Sequence, residues 1–288
     1  MLSTFTWPHF GASPAPEVGA AAPRHVPLVV VGAGPVGLCA AIDGALRGLP
    51  VLLLDDNDTV SVGSRGVGRT FLGEREVFNF DLLPEPGHHR PGMVNVQQYY
   101  LELYLVERAR ELAAIDTRWK HRVTAVQPDA DGATLTIETP EGRYTLRTDW
   151  LVVADGAGSP IRRMLGLDTE GHVFQDRFLI ADVVLDGEPF PLERTERRFW
   201  FLPTFFEGQG ALMHRPADNV WRLDFQLGWD ADPEAEKQPE RVTPRVRRML
   251  DEQGFGHIRF RLEWVSVYTF PCRRMASFRH GRVLFAGD

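Results

Sequence analysis

Gly32-Ala33-Gly34-Pro35-Val36-Gly37 spaces three glycines as a turn that holds a pyrophosphate requires. Gly32 permits a tight turn, Gly34 lets the main chain approach a diphosphate, and Gly37 allows a helix to pack closely on its sheet. Pro35 falls near the start of that helix, where its missing N–H is no loss. The exposed N–H groups around Val36 and the positive end of the helix dipole then face the anion. Further along, Asp55 closes an apolar run, where its carboxylate can accept hydrogen bonds from the two hydroxyls of a ribose. An acid there favours FAD or NAD over NADP, with Asp56 as the neighbouring candidate. Nothing in this stretch separates FAD from NAD.

The elements that would position these residues are legible around them. Residues 28–31 are wholly apolar, as in a central parallel strand buried on both faces. Ala40, Ala41, Ile42, Ala45 and Leu46 recur at helical spacing, Gly48 ends the helix, and residues 51–54 form a second apolar run, completing a βαβ unit. A second helix is expected over residues 99–114, with Leu101, Leu105, Val106 and Ala109 inward and Glu102, Glu107, Arg108 and Arg110 mostly outward. Residues 123–126, 133–138 and 144–147, separated by turns at Asp131-Gly132 and Glu141-Gly142, predict an antiparallel meander. Another apolar strand, 150–154, runs into Asp155-Gly156.

From about residue 173 to 268 the pattern changes to alternation, clearest where Trp221, Leu223, Phe225 and Leu227 interleave with Arg222, Asp224 and Gln226. A second layer built on an antiparallel sheet is expected there. Residues 230–239 read as a surface loop and 245–253 as a helix with a solvated basic face. Residues 282–286 return to the buried-strand pattern before Gly287-Asp288. The expected division is a flexible N-terminal arm (1–24), a nucleotide-binding domain (25–170), a substrate domain (171–272) and a return strand (273–288).

Composition narrows the function classes. The 288 residues are 43% hydrophobic, enough for one large domain or a nucleotide-binding domain with a smaller companion. The net charge of -7 is spread out, with no basic stripe, so nucleic acid is not an expected partner. Cys39 and Cys272 match no metal or redox spacing and read as small buried hydrophobes in a reducing compartment. Residues 1–24 lack the basic-then-apolar order of a signal peptide, and no apolar stretch reaches membrane-spanning length. The expectation is a cytoplasmic protein with neither a metal nor a membrane partner.

The second half carries what separates FAD from NAD. Asp155-Gly156-Ala157-Gly158-Ser159-Pro160-Ile161-Arg162 resembles the Asp-Gly-x-x-Ser-x-x-Arg motif of the FAD-dependent aromatic-ring hydroxylases, and residues 281–288 resemble that family's Gly-Asp motif. Three motifs in order, spanning residues 27–288, carry the resemblance. It implies an α/β fold: a Rossmann-like FAD-binding domain of the glutathione-reductase type, with parallel sheet and β-meander, plus an antiparallel-sheet substrate domain. It implies FAD as cofactor, NAD(P)H and O2 as co-substrates, and a small phenolic or aromatic substrate oxygenated through a C4a-hydroperoxyflavin. A homo-oligomer is compatible with it.

By the same resemblance Asp288 would hold the ribityl or ribose part of FAD, while Asp155, Gly156 and Arg162 would sit near the pyrophosphate and the path of NAD(P)H. Arg65 would meet the pyrophosphate, Gln98 (with Gln97 as competitor) would touch FAD, and the main chain at Val123 would meet adenine. Trp200, Phe205, Met213, His214, Trp221 and Tyr268 are candidates for the region of an aromatic pocket, although aromatic residues in a sheet more often pack than bind. Two departures stand out. Relatives carry a helix between Arg65 and residue 74 that is missing here, and after Gly-Asp they continue with Ala-Ala-His and a helix at the flavin ring, so the resemblance implies a C-terminally truncated site. Other flavin oxidoreductases on the same scaffold, an FAD-binding fragment without activity, and an NAD-dependent dehydrogenase are the competing readings.

Overall fold

The computed structural model describes residues 6, 8–59, 68–80, 96–190, 196–207, 210–215 and 219–287. Its contacts divide the chain into two units, one of Trp7–Val62, Gln98–Glu170 and Arg273–Asp288, the other of Met1–Thr6, Gly63–Gln97 and Gly171–Cys272.

The first unit is built on strands β1 (Arg24–Val31) and β2 (Val51–Asp55), joined by helix α1 (Pro35–Leu46). In the second unit β3 (Gly68–Leu72) and β4 (Arg75–Phe80) form a hairpin. The first unit resumes with α2 (Gln98–Glu111), β5 (Ile115–Trp119), β6 (Arg122–Pro128), β7 (Ala133–Thr139), β8 (Gly142–Val153) and α3 (Pro160–Met164). The chain continues through β9 (Glu170–Asp186), β10 (Arg197–Phe201), β11 (Gly210–His214), β12 (Val220–Leu227), α4 (Pro233–Glu236), α5 (Pro239–Glu252) and β13 (Arg259–Arg274). It closes in the first unit with β14 (Arg279–His280) and β15 (Val283–Phe285).

The first sheet runs β14-β15-β8-β1-β2-β5, and its five strands from β15 to β5 are parallel. Val29, Val30, Leu52, Leu53 and Leu151 are buried on both faces of it, which explains their unbroken apolar runs. The sheet reverses its winding between β1 and β8, where an open α/β sheet leaves a crevice at its carboxyl edge. β6 and β7 add the expected meander, but its third strand and the strand expected at 150–154 are one element. β8 pairs antiparallel with β7 up to Thr148 and parallel with β1 from Leu146 to Val153.

Several expectations need correction. On α2 the inward residues are Tyr99, Glu102, Val106 and Ala109, while Leu101 is exposed. The helical repeat places Glu102 on the buried stripe, where Gln98 Nε2 donates to it at 2.8 Å. Cys39 and Cys272 are both exposed, Cys39 because Leu38 and Ala41 take the inward positions of α1. α5 begins earlier than its sequence suggests, and the expected loop before it contains α4, whose first turn Asp232 caps.

The N-terminal stretch also differs from a loose arm. Phe10 stacks on Trp119 at 4.4 Å, and Phe10, Ala15 and Glu17 are buried. Ser13 and Trp119 exchange hydrogen bonds through Ser13 N–H to Trp119 O and Trp119 N–H to Ser13 Oγ. The stretch thus covers β5, the last strand of the parallel path, whose edge would otherwise be open.

The second unit is a seven-stranded sheet in the order β13-β9-β12-β11-β10-β3-β4, with β10 parallel to β3. One face packs on α5: Val242, Val246, Met249 and Leu250 meet Leu223, Phe225, Met213 and Trp221. The hairpin β3–β4 fills the stretch where the resemblance leaves a helix out, and it extends this sheet. Among the described residues no helix is long and apolar enough to cross a membrane, and no cluster of three or more His, Cys, Asp or Glu side chains forms a metal site.

A candidate dinucleotide cleft

The carboxyl ends of β1, β2 and β8 open on a cleft of about 670 Å³, lined by Gly32, Gly34, Asp55, His121, Val123 and Asp155 among others. Each wall follows from local sequence. Gly32 has φ +104°, and a Cβ there would lie 2.2 Å from the Ala154 carbonyl oxygen. A Cβ on Gly37 would lie 1.8 Å from the Gly32 oxygen, so the helix can sit on the turn only without a side chain. Gly34 differs, because a Cβ there would meet nothing within 4 Å. It is the N-cap of α1, its first turn receives no side-chain cap, and Pro35 follows as the first helical residue. Donors at a helix start with no internal partner are what an anionic diphosphate requires.

Asp55 stands across from this turn. Its Oδ2 accepts from Ala33 N–H and its Oδ1 from Asn57 N–H at 2.7 Å. Burial raises its carboxyl above the usual range, against the pull of those two donors. Two main-chain bonds leave a carboxylate further lone pairs for sugar hydroxyls.

His121 and the bulge beyond it form the far wall. The β6–β7 register shifts between Val123 and Ala125, so Thr124 is an extra residue, and it too lines the cleft. His121 is buried, with Nδ1 2.7 Å from the Tyr144 hydroxyl and Nε2 3.0 Å from the Ser13 carbonyl. A carbonyl only accepts, so Nε2 carries the proton and Nδ1 accepts from Tyr144. Burial lowers the His121 pKa and keeps the ring neutral.

The remaining motifs meet the same edge of the sheet. Asp155 Oδ2 accepts from Ile161 N–H at 3.1 Å and Ser159 Oγ from Arg162 N–H at 3.1 Å, so the acid and serine of that motif hold the first turn of α3. Gly156 lines the cleft. Gly287 follows β15 and packs on Val36 of α1, its would-be Cβ 3.2 Å from Cγ2. Of the expected site residues, Gly32, Gly34, Asp55, Val123, Asp155 and Gly156 line one cleft, and Pro35, Val36, Gly37 and Gly287 build its rim.

Arg162 and Gln98 are not among the lining residues: Arg162 donates to the Ala157 carbonyl and Gln98 to Glu102. Gln97, the competitor of Gln98, is fully buried, and among the described residues neither of its amide atoms has a partner. Arg65 and Asp288 lie outside the described residues. Sequence reading missed His121 and Thr124, because a lone histidine after an unrecognised strand and a bulge leave no pattern.

Of the aromatic-pocket candidates, Trp200, Phe205, Met213 and Trp221 are core side chains packed toward α5. Strand alternation puts His214 on the other face, beside Arg222, whose guanidinium is bidentate to buried Asp182 at 2.7 and 2.8 Å. His214 Nδ1 and Asp224 Oδ1 on that face are buried with no partner among the described residues. Burial drives the His214 pKa down to about 3 and the Asp224 pKa up to about 7. Tyr268 is half-exposed against Phe270.

Known proteins resemble this chain in sequence and in fold. Residues 79–288 match the family described as FAD binding domain. The chain is 31% identical to anhydrotetracycline monooxygenase of Streptomyces rimosus, over 91% of this chain and 56% of that one. It is 28% identical to para-nitrophenol 4-monooxygenase of a Pseudomonas species, over 91% of this chain and 70% of that one. Its fold matches the crystal structure of p-nitrophenol 4-monooxygenase from Pseudomonas putida with a TM-score of 0.76 at 24% identity, over 92% and 73% of the two chains.

The fold is that of a Rossmann-type flavoprotein. The chain belongs to the FAD-dependent aromatic-ring hydroxylase family, a family of oxidoreductases. It spans 56% and 50% of the length of two curated relatives, an anhydrotetracycline monooxygenase and a 3-(3-hydroxy-phenyl)propionate hydroxylase.

Proposed function

We propose that the first unit binds FAD and that the protein serves the hydroxylation of a phenolic ring with NAD(P)H and O2. One observation carries this reading: three turns distant in sequence, at Gly32–Gly37, Asp155-Gly156 and Gly287, meet at one edge of the sheet opposite the acid Asp55. A plain βαβ unit requires neither an uncapped helix start facing open space nor an acid aimed at it.

Bound FAD would supply the redox chemistry, taking two electrons from NAD(P)H, passing one oxygen atom of O2 to the ring and releasing the other as water. This chain's residues bind and orient. Gly34 and the first turn of α1 receive the pyrophosphate, Asp55 accepts from the adenosine ribose, and the main chain beside Val123 and the bulge at Thr124 meets adenine. Gly156, Gly287 and the α3 turn held by Asp155 shape the rim, and Arg65, Gln98 or Gln97, Arg162 and Asp288 are assigned to the flavin by resemblance. In the second unit, Asp224 and His214 suit a phenolic hydroxyl, which both donates and accepts.

The test is direct. The purified chain is incubated with FAD, desalted and examined for flavin absorbance. NADH or NADPH oxidation and O2 uptake are then followed with and without phenols. Retained flavin and phenol-stimulated O2 uptake with a hydroxylated product are expected; protein that retains no flavin contradicts the proposal.

A further inference from the structure

We propose that residues 8–20 form a strap that positions the adenosine end of the cleft, so that nucleotide affinity depends on a segment that lines none of it. The inference rests on the cleft taking an adenine nucleotide. The strap is fastened at four places. Phe10 N–H donates to the Asp58 carbonyl at 2.8 Å, Ser13 exchanges two hydrogen bonds with Trp119, and Ala15 N–H donates to Glu141 at 3.1 Å. Glu17 takes the guanidinium of Arg118 at both oxygens, 2.7 and 3.0 Å.

Three of these anchors lead by printed contacts to residues of the cleft wall, those at Phe10, Ser13 and Glu17. The Ser13 carbonyl holds His121 Nε2, and Tyr144, which Arg118 approaches at 3.5 Å, holds Nδ1. The His121 ring is therefore fixed at both nitrogens, one of them by the strap. The His121 main chain passes the constraint on: its N–H donates to the Asp55 carbonyl at 2.8 Å, and Lys120 N–H donates to the Asn57 carbonyl at 3.3 Å. Asn57 N–H in turn holds the Asp55 carboxylate. Lys120 adopts φ +62°, a conformation a lysine keeps only when its surroundings impose it, and its ammonium meets Asp58 at 3.0 Å, next to the carbonyl that holds Phe10.

A segment that only covered β5 would stop at Trp119. The bonds from Ser13 through His121 to Asp55 join it to the acid assigned to the ribose. Linkage then requires reciprocity: if the strap favours nucleotide binding, nucleotide must favour the strap by the same factor.

The experiment is amide hydrogen exchange on the full chain with and without saturating ADP, with ADP affinity measured for wild type and Tyr144→Phe. Tyr144 does not line the cleft, and its loss frees His121 from one of its two restraints. Exchange at Phe10 and Ser13 is expected to slow about fivefold or more on ADP binding, and Tyr144→Phe to weaken ADP by a comparable factor. Unchanged strap exchange in protein that binds ADP overturns the strap while leaving the nucleotide cleft standing, and it needs no variant to fold. A Tyr144→Phe protein that is less stable but binds ADP as wild type does also overturns it. Wild type that binds no ADP overturns both.

Discussion

Glu17→Ala removes the shared acid of two ion pairs, with buried Arg118 and half-exposed Arg24, and the buried one sets the magnitude. Glu17 and Arg118 are 7% and 5% exposed, and both Glu17 oxygens face the guanidinium. Removing the acid leaves Arg118 buried with Asp116, itself 46% exposed, as its remaining carboxylate partner among the described residues. Losing one partner of a buried pair costs about 3–5 kcal/mol, and the low end applies because the half-exposed Asp116 still compensates. At about 3 kcal/mol, the thermal midpoint should fall by about 6–12 °C. The pH dependence gives a second handle. Burial alone would raise the Glu17 carboxyl, but the donors of Arg118 and Arg24 outweigh it and hold the group at about 2, against 4.5 when unfolded. A depressed carboxylate stabilises the fold above its unfolded pKa and loses that contribution as pH falls toward the folded one. Urea unfolding of wild type and variant should therefore differ fully at pH 7 and converge between about pH 4.5 and 2. A difference under about 0.5 kcal/mol at pH 7 would refute the reasoning, because a surface substitution does as little.

Other outcomes follow from single residues. Asp224 is raised to about 7 by burial, and a raised carboxyl stabilises below its unfolded pKa and loses that as pH rises through 7; Asp224→Asn should thus be more stable than wild type at pH 8, by up to about 4 kcal/mol, and equal near pH 4 in urea titrations. Gln97→Met should leave stability unchanged or raised in urea titrations, since both amide atoms are buried and lack partners among the described residues. Gly37→Ala should destabilise by about 3 kcal/mol or more by calorimetry, because its Cβ meets a main-chain oxygen that cannot move aside.

How much was legible in the sequence depends on how local the cause was. The run from β1 through α1 to Asp55 could be read because burial on both faces, close backbone approach and a strand-ending acid each leave their own residue types. Strand β5 could not: Ile115-Asp116-Thr117-Arg118-Trp119 looks polar because Arg118 is buried through a partner about a hundred residues earlier in the chain, Glu17. The strap was hidden for the same reason, its Pro, Ala and Gly content masking three buried side chains. Alternation predicted the second sheet, yet it does not say which face a helix covers, so Trp200 and Trp221 stood as pocket candidates although aromatic residues in a sheet more often pack, and α5 makes them core. The helix α2 misled through Glu102, where an acid follows the apolar stripe with Gln98 as donor.

The central claim, that a pyrophosphate lies against the turn at Gly34, is tested most directly by ADP binding to Gly34→Ala. Gly34 has φ -76°, ordinary for alanine, and nothing within 4 Å of a Cβ. The account predicts a thermal midpoint within about 2 °C of wild type and at least about tenfold weaker ADP by calorimetric titration. An alanine variant that binds ADP as tightly as the wild type would contradict it.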